Sequence, residues 1–160
     1  MKTGIKLDDR DLAILKILQE EGRITKAALA ERVNLSAAPC WERLKRLEKA
    51  GVIVGYEAKL SLSLLSPLTM VLVEVELDSH KTADFERFER AVHDYPEILE
   101  CWAVGGGIDY VLKVFSKDID SYQRFIDRML DADIGLRRYY TYVVTKQVKS
   151  ESKVPLDALV

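Results

Sequence analysis

The stretch LDDRDLAILKILQEEGRITKAALAERVNLSAAPCWERLKRLEKAGVIVGYEAKL, residues 7–60, decides the fold of the N-terminal half. It holds three runs of apolar residues at helical spacing, and each run follows a residue that favours a helix N-terminus, namely Asp8, Thr25 and Ser36. The predicted helices are 8–22, 26–33 and 37–50, the last one followed by Gly51. Because only Asn34 and Leu35 separate the second helix from the third cap, the pattern predicts a winged helix-turn-helix.

The third helix has one face for the core and another for a partner. Cys40, Leu44 and Leu47 repeat at helical spacing and should be buried, which turns the other positions outward. Small residues at its N-terminus suit a close approach to the major groove, and cations follow them. Trp41 either covers the flank of the core or lies against sugar and phosphate. The predicted DNA-binding residues are Ser36, Ala37, Ala38, Pro39, Trp41, Glu42, Arg43, Lys45, Arg46 and Lys49.

The charge distribution agrees with a polyanion partner for this half, although it is weak evidence by itself. Residues 1–60 contain 12 Lys and Arg against 9 Asp and Glu, a net charge of +3. Residues 61–160 contain 12 against 17, a net charge of -5. The two halves therefore differ in sign, as expected for two domains with different partners.

The C-terminal half predicts a second domain of alternating strands and helices. Period-two patterns indicate strands at 69–77, 98–104, 110–115 and 138–148, and helical spacing indicates helices at 82–93 and from the cap Asp118 to Leu130. The order βαββαβ predicts a ferredoxin-like sandwich with both helices on one face of an antiparallel sheet, so the protein is of the α+β class. The other face would remain apolar and uncovered, which favours a homodimer.

The N-terminal stretch resembles the Lrp/AsnC family of feast/famine transcription regulators. The similarity includes P-C-x-E-R-x-x-R-L-E from Pro39 to Glu48 and G-x-I-x-G-Y from Gly51 to Tyr56, and it extends from about Leu7 to Lys149. The resemblance implies a regulator whose third helix reads double-stranded DNA. It also implies dimers that pair through their sheets and build tetramers, octamers or larger rings, with amino-acid-related effectors bound between dimers near the turn that joins the middle strands.

That turn is CWAVGGGIDY, residues 101–110, where three glycines permit a sharp bend and leave space beside the backbone. A glycine-rich turn also has a simpler interpretation, a hairpin closure. The family pattern here is G-[DE]-x-D-Y, and Gly107 replaces its first acid, so we expect an effector that depends less on a free α-ammonium group, such as an N-acylated or cyclic amino-acid derivative. Tyr139, Tyr140 and Tyr142 fit sheet and interface positions better than a ligand site. The candidate effector residues are Gly105, Gly106, Gly107, Asp109, Tyr110 and Tyr140.

Other functions have little support in the sequence. An enzyme on this fold is the main alternative from another class, but the residues predict no catalytic group, cofactor or metal site, and His80 and His93 lie at the two ends of a helix where we expect them to be solvated. We expect the thiols of Cys40 and Cys101 to be buried. A nucleoid-organising protein of low sequence preference is the second alternative. The absence of a long apolar run or a leader predicts a cytoplasmic protein.

The expected domain boundaries follow from these patterns. Residues 1–60 form the DNA-binding domain and 61–67 a polar hinge that ends at a proline. Residues 68–150 form the domain for ligand sensing and oligomerisation, and residues 151–160 are a tail.

Overall fold

The computed structural model describes residues 5–61, 64, 67–151 and 153–159. The chain divides into two compact units, Met1–Lys59 with Ser150–Val160, and Leu60–Lys149. Most of the predicted hinge, namely residues 62, 63, 65 and 66, lies outside the described residues. The elements in chain order are α1 (Asp9–Glu20), α2 (Lys26–Arg32), α3 (Ala37–Lys49), β1 (Thr69–Leu77), α4 (Thr82–Val92), β2 (Ile98–Ala103), β3 (Tyr110–Ser116), α5 (Ile119–Asp131), β4 (Leu136–Val143) and a 3₁₀ turn (Leu156–Leu159).

The first two helices begin at the predicted caps. One carboxylate oxygen of Asp8 accepts a hydrogen bond from the backbone N–H of Asp11 at 2.9 Å, and the Asp11 carboxylate accepts one from the backbone N–H of Asp8 at 3.0 Å. This reciprocal capping box satisfies two amides that the helix leaves unpaired. Thr25 caps α2 in the ordinary way, through a 3.2 Å bond from the N–H of Ala28. Ser36 precedes α3 but its hydroxyl makes no capping hydrogen bond.

The core of the N-terminal unit lies between the three helices. Ile14, Leu29 and Leu47 are all but fully buried, one from each helix. In α1, Ile14 and Leu15 are buried, whereas Leu12 and Leu18 are only half-buried. Together with Asp11, the buried residues of α1 follow i, i+3 and i+4 spacing from the first turn.

The turns around α3 have the conformations that their residues favour. Asn34, before α3, has a φ of 52°, and Gly51, after it, has a φ of 72°. Both values lie in the left-handed region, where asparagine and glycine are tolerated best. Helix α3 therefore starts and stops within one residue of the prediction, and residues 54–60 beyond it form neither helix nor strand.

The C-terminal segment packs on the N-terminal unit. Gln19 of α1 donates from Nε2 to the carbonyl of Val154 at 3.2 Å, and its Oε1 accepts from the N–H of Val154 at 2.6 Å. Lys153 lies 3.5 Å from Glu20, and Leu156 contacts the helical core. Lys153, Val154 and Leu156 of the predicted tail thus make defined contacts with the N-terminal unit.

The C-terminal unit has the predicted βαββαβ order. Its sheet is antiparallel throughout, with strand order β2-β3-β1-β4. Strand β1 is central, so that Val73 lies opposite Leu112 of β3 on one side and Thr141 of β4 on the other. This is the strand arrangement of a ferredoxin-like sandwich.

Alternate residues of the sheet and both helices form one core. Val71 and Val73 of β1 and Leu112 of β3 are buried with Phe88 of α4 and Phe125 of α5. Because successive side chains of a strand point to opposite faces, both helices cover the same face of the sheet. Each such large side chain stabilises the fold by roughly 1.5–3 kcal/mol through burial.

Three details differ from the predictions. Strand β4 covers Leu136–Val143 rather than 138–148, because its partner β1 begins at Thr69 and offers little backbone for pairing beyond Val143. Leu130, the last residue of the predicted helix, is 44% exposed, and α5 continues to Asp131. Cys101 is only half-buried, because β2 is an edge strand.

Candidate functional site

Helix α3 presents its N-terminus and one flank to solvent. Cys40, Leu44 and Leu47 are buried, which confirms the predicted core face. The four residues from Ser36 to Pro39 are exposed. Proline is tolerated in the first turn because its missing N–H would have no partner inside the helix. The outcome is a small, smooth helix end with room for a close partner.

Two of the predicted cations of α3 bind Asp8, the cap of α1, and Asp11 in its first turn. Arg43 donates from Nη1 to Asp8 at 2.6 Å and to Asp11 at 2.9 Å, and Arg46 donates from Nη2 to the same Asp11 carboxylate. The Asp11 side chain is fully buried, whereas those of Arg43 and Arg46 are 29% and 45% exposed. Both arginines were predicted to face outward and Asp8 was predicted as a cap, whereas the contacts of Arg43 and Arg46 to Asp11 were not anticipated.

The electrostatic consequences are visible in the pKa values of these groups. The hydrogen bond from the backbone of Asp11, followed by that from Arg43, lowers the pKa of Asp8 to about 2. In return, the hydrogen bonds to Asp8 and Asp11 raise the pKa of Arg43. The pair therefore stays ionised through the physiological range.

Trp41 lies on the flank of the helical core, and two lysine ammonium groups pack against its ring. It is half-buried against the core of the unit, and Lys26 of α2 lies 3.3 Å from its ring centroid. Lys45 approaches the same ring at 5.1 Å. These are cation–π distances, so the ring fixes two ammonium groups on the surface near α3. Lys45, Lys49 and Glu42 are themselves exposed.

The glycine turn between β2 and β3 has open space beside it. Cβ atoms built on Gly105, Gly106 or Gly107 would meet no heavy atom within 4 Å. Gly106 has a φ of 153°, which side chains rarely adopt, whereas the other two glycines have no positive φ. A 2.9 Å bond from the N–H of Val104 to the carbonyl of Asp109 closes the turn.

Asp109 has partners of its own at the base of this turn. Its carboxylate accepts a hydrogen bond from the backbone N–H of Leu77 at 2.8 Å and lies 3.0 Å from His80 Nε2. The prediction that His80 is merely solvated was therefore incomplete, because the ring is 65% exposed but also pairs with Asp109. His93 is exposed.

The tyrosines predicted for the effector site lie on opposite faces of the sheet. Tyr110 is buried in the core, donates its hydroxyl hydrogen bond to Glu89 at 2.9 Å, and has a pKa raised by burial and by that carboxylate. Tyr140 is 43% exposed on the other face, where Arg138 reaches its hydroxyl at 3.3 Å. The structure does not bring the two rings together within one copy.

A cavity of about 420 Å³ was not anticipated from the sequence. It lies between the end of α4 and strand β2, with Glu89, His93, Leu99 and Cys101 among its lining residues. None of the glycines of the turn lines it.

Within the described ranges, no group of His, Cys, Asp or Glu side chains is arranged to hold a metal ion. No helix among the described residues is long and apolar enough to span a membrane.

Two family models match the chain in the order of its two units. The winged helix-turn-helix DNA-binding model covers residues 7–54, and the Lrp/AsnC ligand-binding domain model covers residues 70–154, more than half of the chain. The chain belongs to the Lrp/AsnC family. It is a DNA-binding transcription regulator with a ligand-binding domain, and it is not an enzyme.

Curated relatives of this Lrp/AsnC regulator cover nearly its whole length. It is 56% identical over 156 residues to the transcriptional regulatory protein DoeX of Halomonas elongata, which covers 97% of this chain and 99% of that protein. It is 39% identical over 153 residues to the leucine-responsive regulatory protein of Escherichia coli strain K12, which covers 96% and 93%.

Solved structures agree with the fold of this Lrp/AsnC regulator. An AsnC family regulator from Agrobacterium tumefaciens has a TM-score of 0.89 at 34% identity, covering 96% of this chain and all of that one. A transcriptional regulator from Neisseria meningitidis, solved as a complex with L-Met, has a TM-score of 0.89 at 35% identity, covering 97% and 100%.

Proposed function

We propose that this cytoplasmic regulator reads double-stranded DNA with the exposed N-terminus and cationic flank of α3. The observation that carries the assignment is the division of α3 into a buried face and an exposed small-residue end from Ser36 to Pro39. Arg43 and Arg46 offer the guanidinium edges that their acids leave unused, and Lys45 and Lys49 add exposed ammonium groups beside them. Such contacts to phosphate position a helix so that its N-terminus reads base edges.

The DNA partner can be obtained without knowing the operator. The full-length protein is used to enrich binding sequences from a library of random duplexes, and the enriched sequence is termed the selected duplex. If α3 is the reading helix, replacing Lys45 and Lys49 by glutamine weakens binding to the selected duplex. The matched replacement of the exposed Lys117 and Lys146 in the other unit does not. Unaltered affinity in the first variant would place the interface elsewhere.

We also propose that the protein acts as a homodimer or a larger ring built from dimers. The face of the sheet opposite the helices carries partly exposed apolar side chains, interspersed with Glu74 and Lys113, that no helix of the C-terminal unit covers. Trp102 and Tyr142 are 43% and 50% exposed, and the register places them around Leu72 and Val111. An exposed patch of this kind on a small domain favours pairing with a second copy.

Sedimentation of the full-length protein at micromolar concentration tests this assembly. The wild type should sediment as a dimer or larger, and Trp102→Glu should shift it toward smaller species because it replaces an exposed apolar side chain of this face by a charge. A wild-type protein that sediments as a monomer contradicts the assembly.

The effector site is proposed at the turn from Gly105 to Tyr110, with Tyr140 reaching it only from another copy. The ligand-binding family model and the open space beside the glycines support this placement. The L-Met complex of the Neisseria regulator supports an amino-acid-related ligand. Because Gly107 removes one acid and Asp109 already binds Leu77 and His80, little negative charge is left for a free α-ammonium group.

L-methionine and N-acetyl-L-methionine are a matched pair of probes for this proposal. Calorimetry on the wild type should favour the acetylated probe, and Gly107→Glu should shift the preference toward the free amino acid. Gly107→Val, which fills the space without a positive φ to strain it, should weaken both, whereas Gly106→Val would add strain of its own. Tighter binding of free L-methionine to the wild type would overturn the inference from Gly107.

A further inference from the structure

The carboxylate of Asp11 is the meeting point of α1 and α3. It accepts hydrogen bonds from the backbone N–H of Asp8 at 3.0 Å, from Arg43 Nη1 at 2.9 Å and from Arg46 Nη2. Its side chain has no exposure to solvent. Because a buried charge without partners is costly, this carboxylate keeps both arginine head groups at the end of α1.

The contacts to Asp8 and Asp11 leave other N–H groups of the two guanidinium groups available. A guanidinium carries five N–H groups in a planar fork, and the contacts to Asp8 and Asp11 use one terminal nitrogen of Arg43 and one of Arg46. Both arginine side chains keep part of their surface exposed, at 29% and 45%. Each fork thus has one edge fixed to α1 and other edges open to a partner.

We propose that Asp11 is a positioning residue for DNA binding, which fixes Arg43 and Arg46 in the orientation that meets the phosphate backbone. The proposal rests on α3 being the DNA-reading helix. Long side chains lose rotamer freedom when they bind, and arginines ordered beforehand lose less. Asp11 touches no DNA itself, so its whole effect passes through the two arginines.

The variant Asp11→Asn distinguishes positioning from simple electrostatics, because the two predict opposite changes in DNA affinity. Removing a negative charge near a DNA-binding surface should strengthen binding to a polyanion. If Asp11 positions the arginines, its neutral isostere should weaken binding although the protein becomes more positive. The exposed Asp9, in the same first turn of α1, provides a matched control, because Asp9→Asn removes the same charge.

The experiment measures affinity for the selected duplex by fluorescence anisotropy at several salt concentrations. Asp9→Asn should bind as tightly as the wild type or more tightly, and Asp11→Asn should bind at least about fivefold more weakly, a loss of about 1 kcal/mol. Asp11→Asn affinity equal to or above that of Asp9→Asn would overturn the proposal.

A second background, the variant with Arg43→Gln and Arg46→Gln, separates positioning from general destabilisation. Affinity is measured at a temperature where circular dichroism and thermal melts show each variant folded. Asp11→Asn is then combined with Arg43→Gln and Arg46→Gln, where a positioning residue has nothing left to position and should have little further effect. An equal fold-loss in both backgrounds would overturn the proposal, since it would mean that Asp11 acts on the fold as a whole.

The assignment of α3 fails in a different way. If α3 does not read DNA, the variant with Lys45→Gln and Lys49→Gln binds the selected duplex like the wild type, and the proposal for Asp11 falls with it. If the lysine variant binds more weakly but Asp11→Asn matches Asp9→Asn, α3 remains the reading helix and only the role of Asp11 is rejected.

Discussion

Asp11 of the first helix accepts a 2.9 Å hydrogen bond from Arg43 of the third, across 32 positions of the chain. The bond joins a buried carboxylate in the first turn of α1 to a partly exposed guanidinium of α3. Asp11 therefore serves both in the capping box of α1 and as a tertiary contact of the DNA-binding unit. On the proposed role of α3, the stability and the DNA affinity of this unit should depend on the same few charged groups.

Asp8 gives the unit a pH dependence at the acid end. Its folded pKa is about 2, below the ordinary 3.8, because the backbone of Asp11 and then Arg43 stabilise the charged form. A depressed carboxyl pKa stabilises the folded state above the unfolded pKa, and this contribution is lost as the pH falls toward the folded value. Urea unfolding from about pH 5 to pH 2 should show a steeper loss for the wild type than for Asp8→Asn. Parallel curves would show that Asp8 is not linked to folding.

If the cations of α3 contact phosphates, they should contribute to the salt dependence of DNA binding. Removing one side chain that binds a phosphate reduces the slope of log affinity against log salt by about 1. Replacing Arg43, Lys45 and Arg46 together by alanine should flatten the slope by roughly 2–3 and weaken binding to the selected duplex. A triple variant that is folded by circular dichroism and keeps wild-type affinity contradicts their assignment.

Two residues of α5 test where its core face lies. Phe125 is fully buried and Leu130 is 44% exposed, although both are large apolar residues of one helix. Phe125→Ala should lower the free energy of unfolding by about 3–5 kcal/mol, whereas Leu130→Ala should cost less than about 1 kcal/mol. Denaturant unfolding measures both, and similar losses would contradict the packing described for α5.

The C-terminal segment should stabilise the N-terminal unit. Gln19 exchanges two hydrogen bonds with the backbone of Val154, so Gln19→Ala should cost on the order of 1 kcal/mol and lower the melting temperature. Gln147→Ala, at an exposed position outside any helix or strand, is the control. In a chain shortened to end at Lys149, Gln19→Ala should have little effect, and an undiminished effect there would show that Gln19 acts through other contacts.

The local pattern of the sequence was enough to predict most of the fold. The caps Asp8, Thr25 and Asp118 and the period-two run of β1 are short-range features, and the structure confirms them. The end of β4 was not predictable in this way, because it depends on where its partner β1 begins. Helix α1 shows the same limit, because the choice of Ile14 and Leu15 as its buried residues depends on packing with the other two helices.

The candidate site was predictable as a set of segments but not as a set of contacts. The exposed end of α3 and the open glycine turn follow from composition and spacing. The hydrogen bonds from Arg43 and Arg46 to Asp11 join residues more than thirty positions apart. The spacing of apolar residues along the chain does not predict such a pair. A carboxylate at a core-facing position of α1, three residues after the cap, was the available hint.

Sequence-specific reading by α3 is tested most sharply by the affinity of the full-length protein for the selected duplex, compared with a scrambled duplex of the same composition at one salt concentration. A sequence-specific regulator should prefer the selected duplex by about 10³-fold or more, and the selected sequence should be an inverted repeat with half-sites about 34 Å apart or a multiple of that distance. Equal affinity for both duplexes would contradict sequence-specific reading by α3.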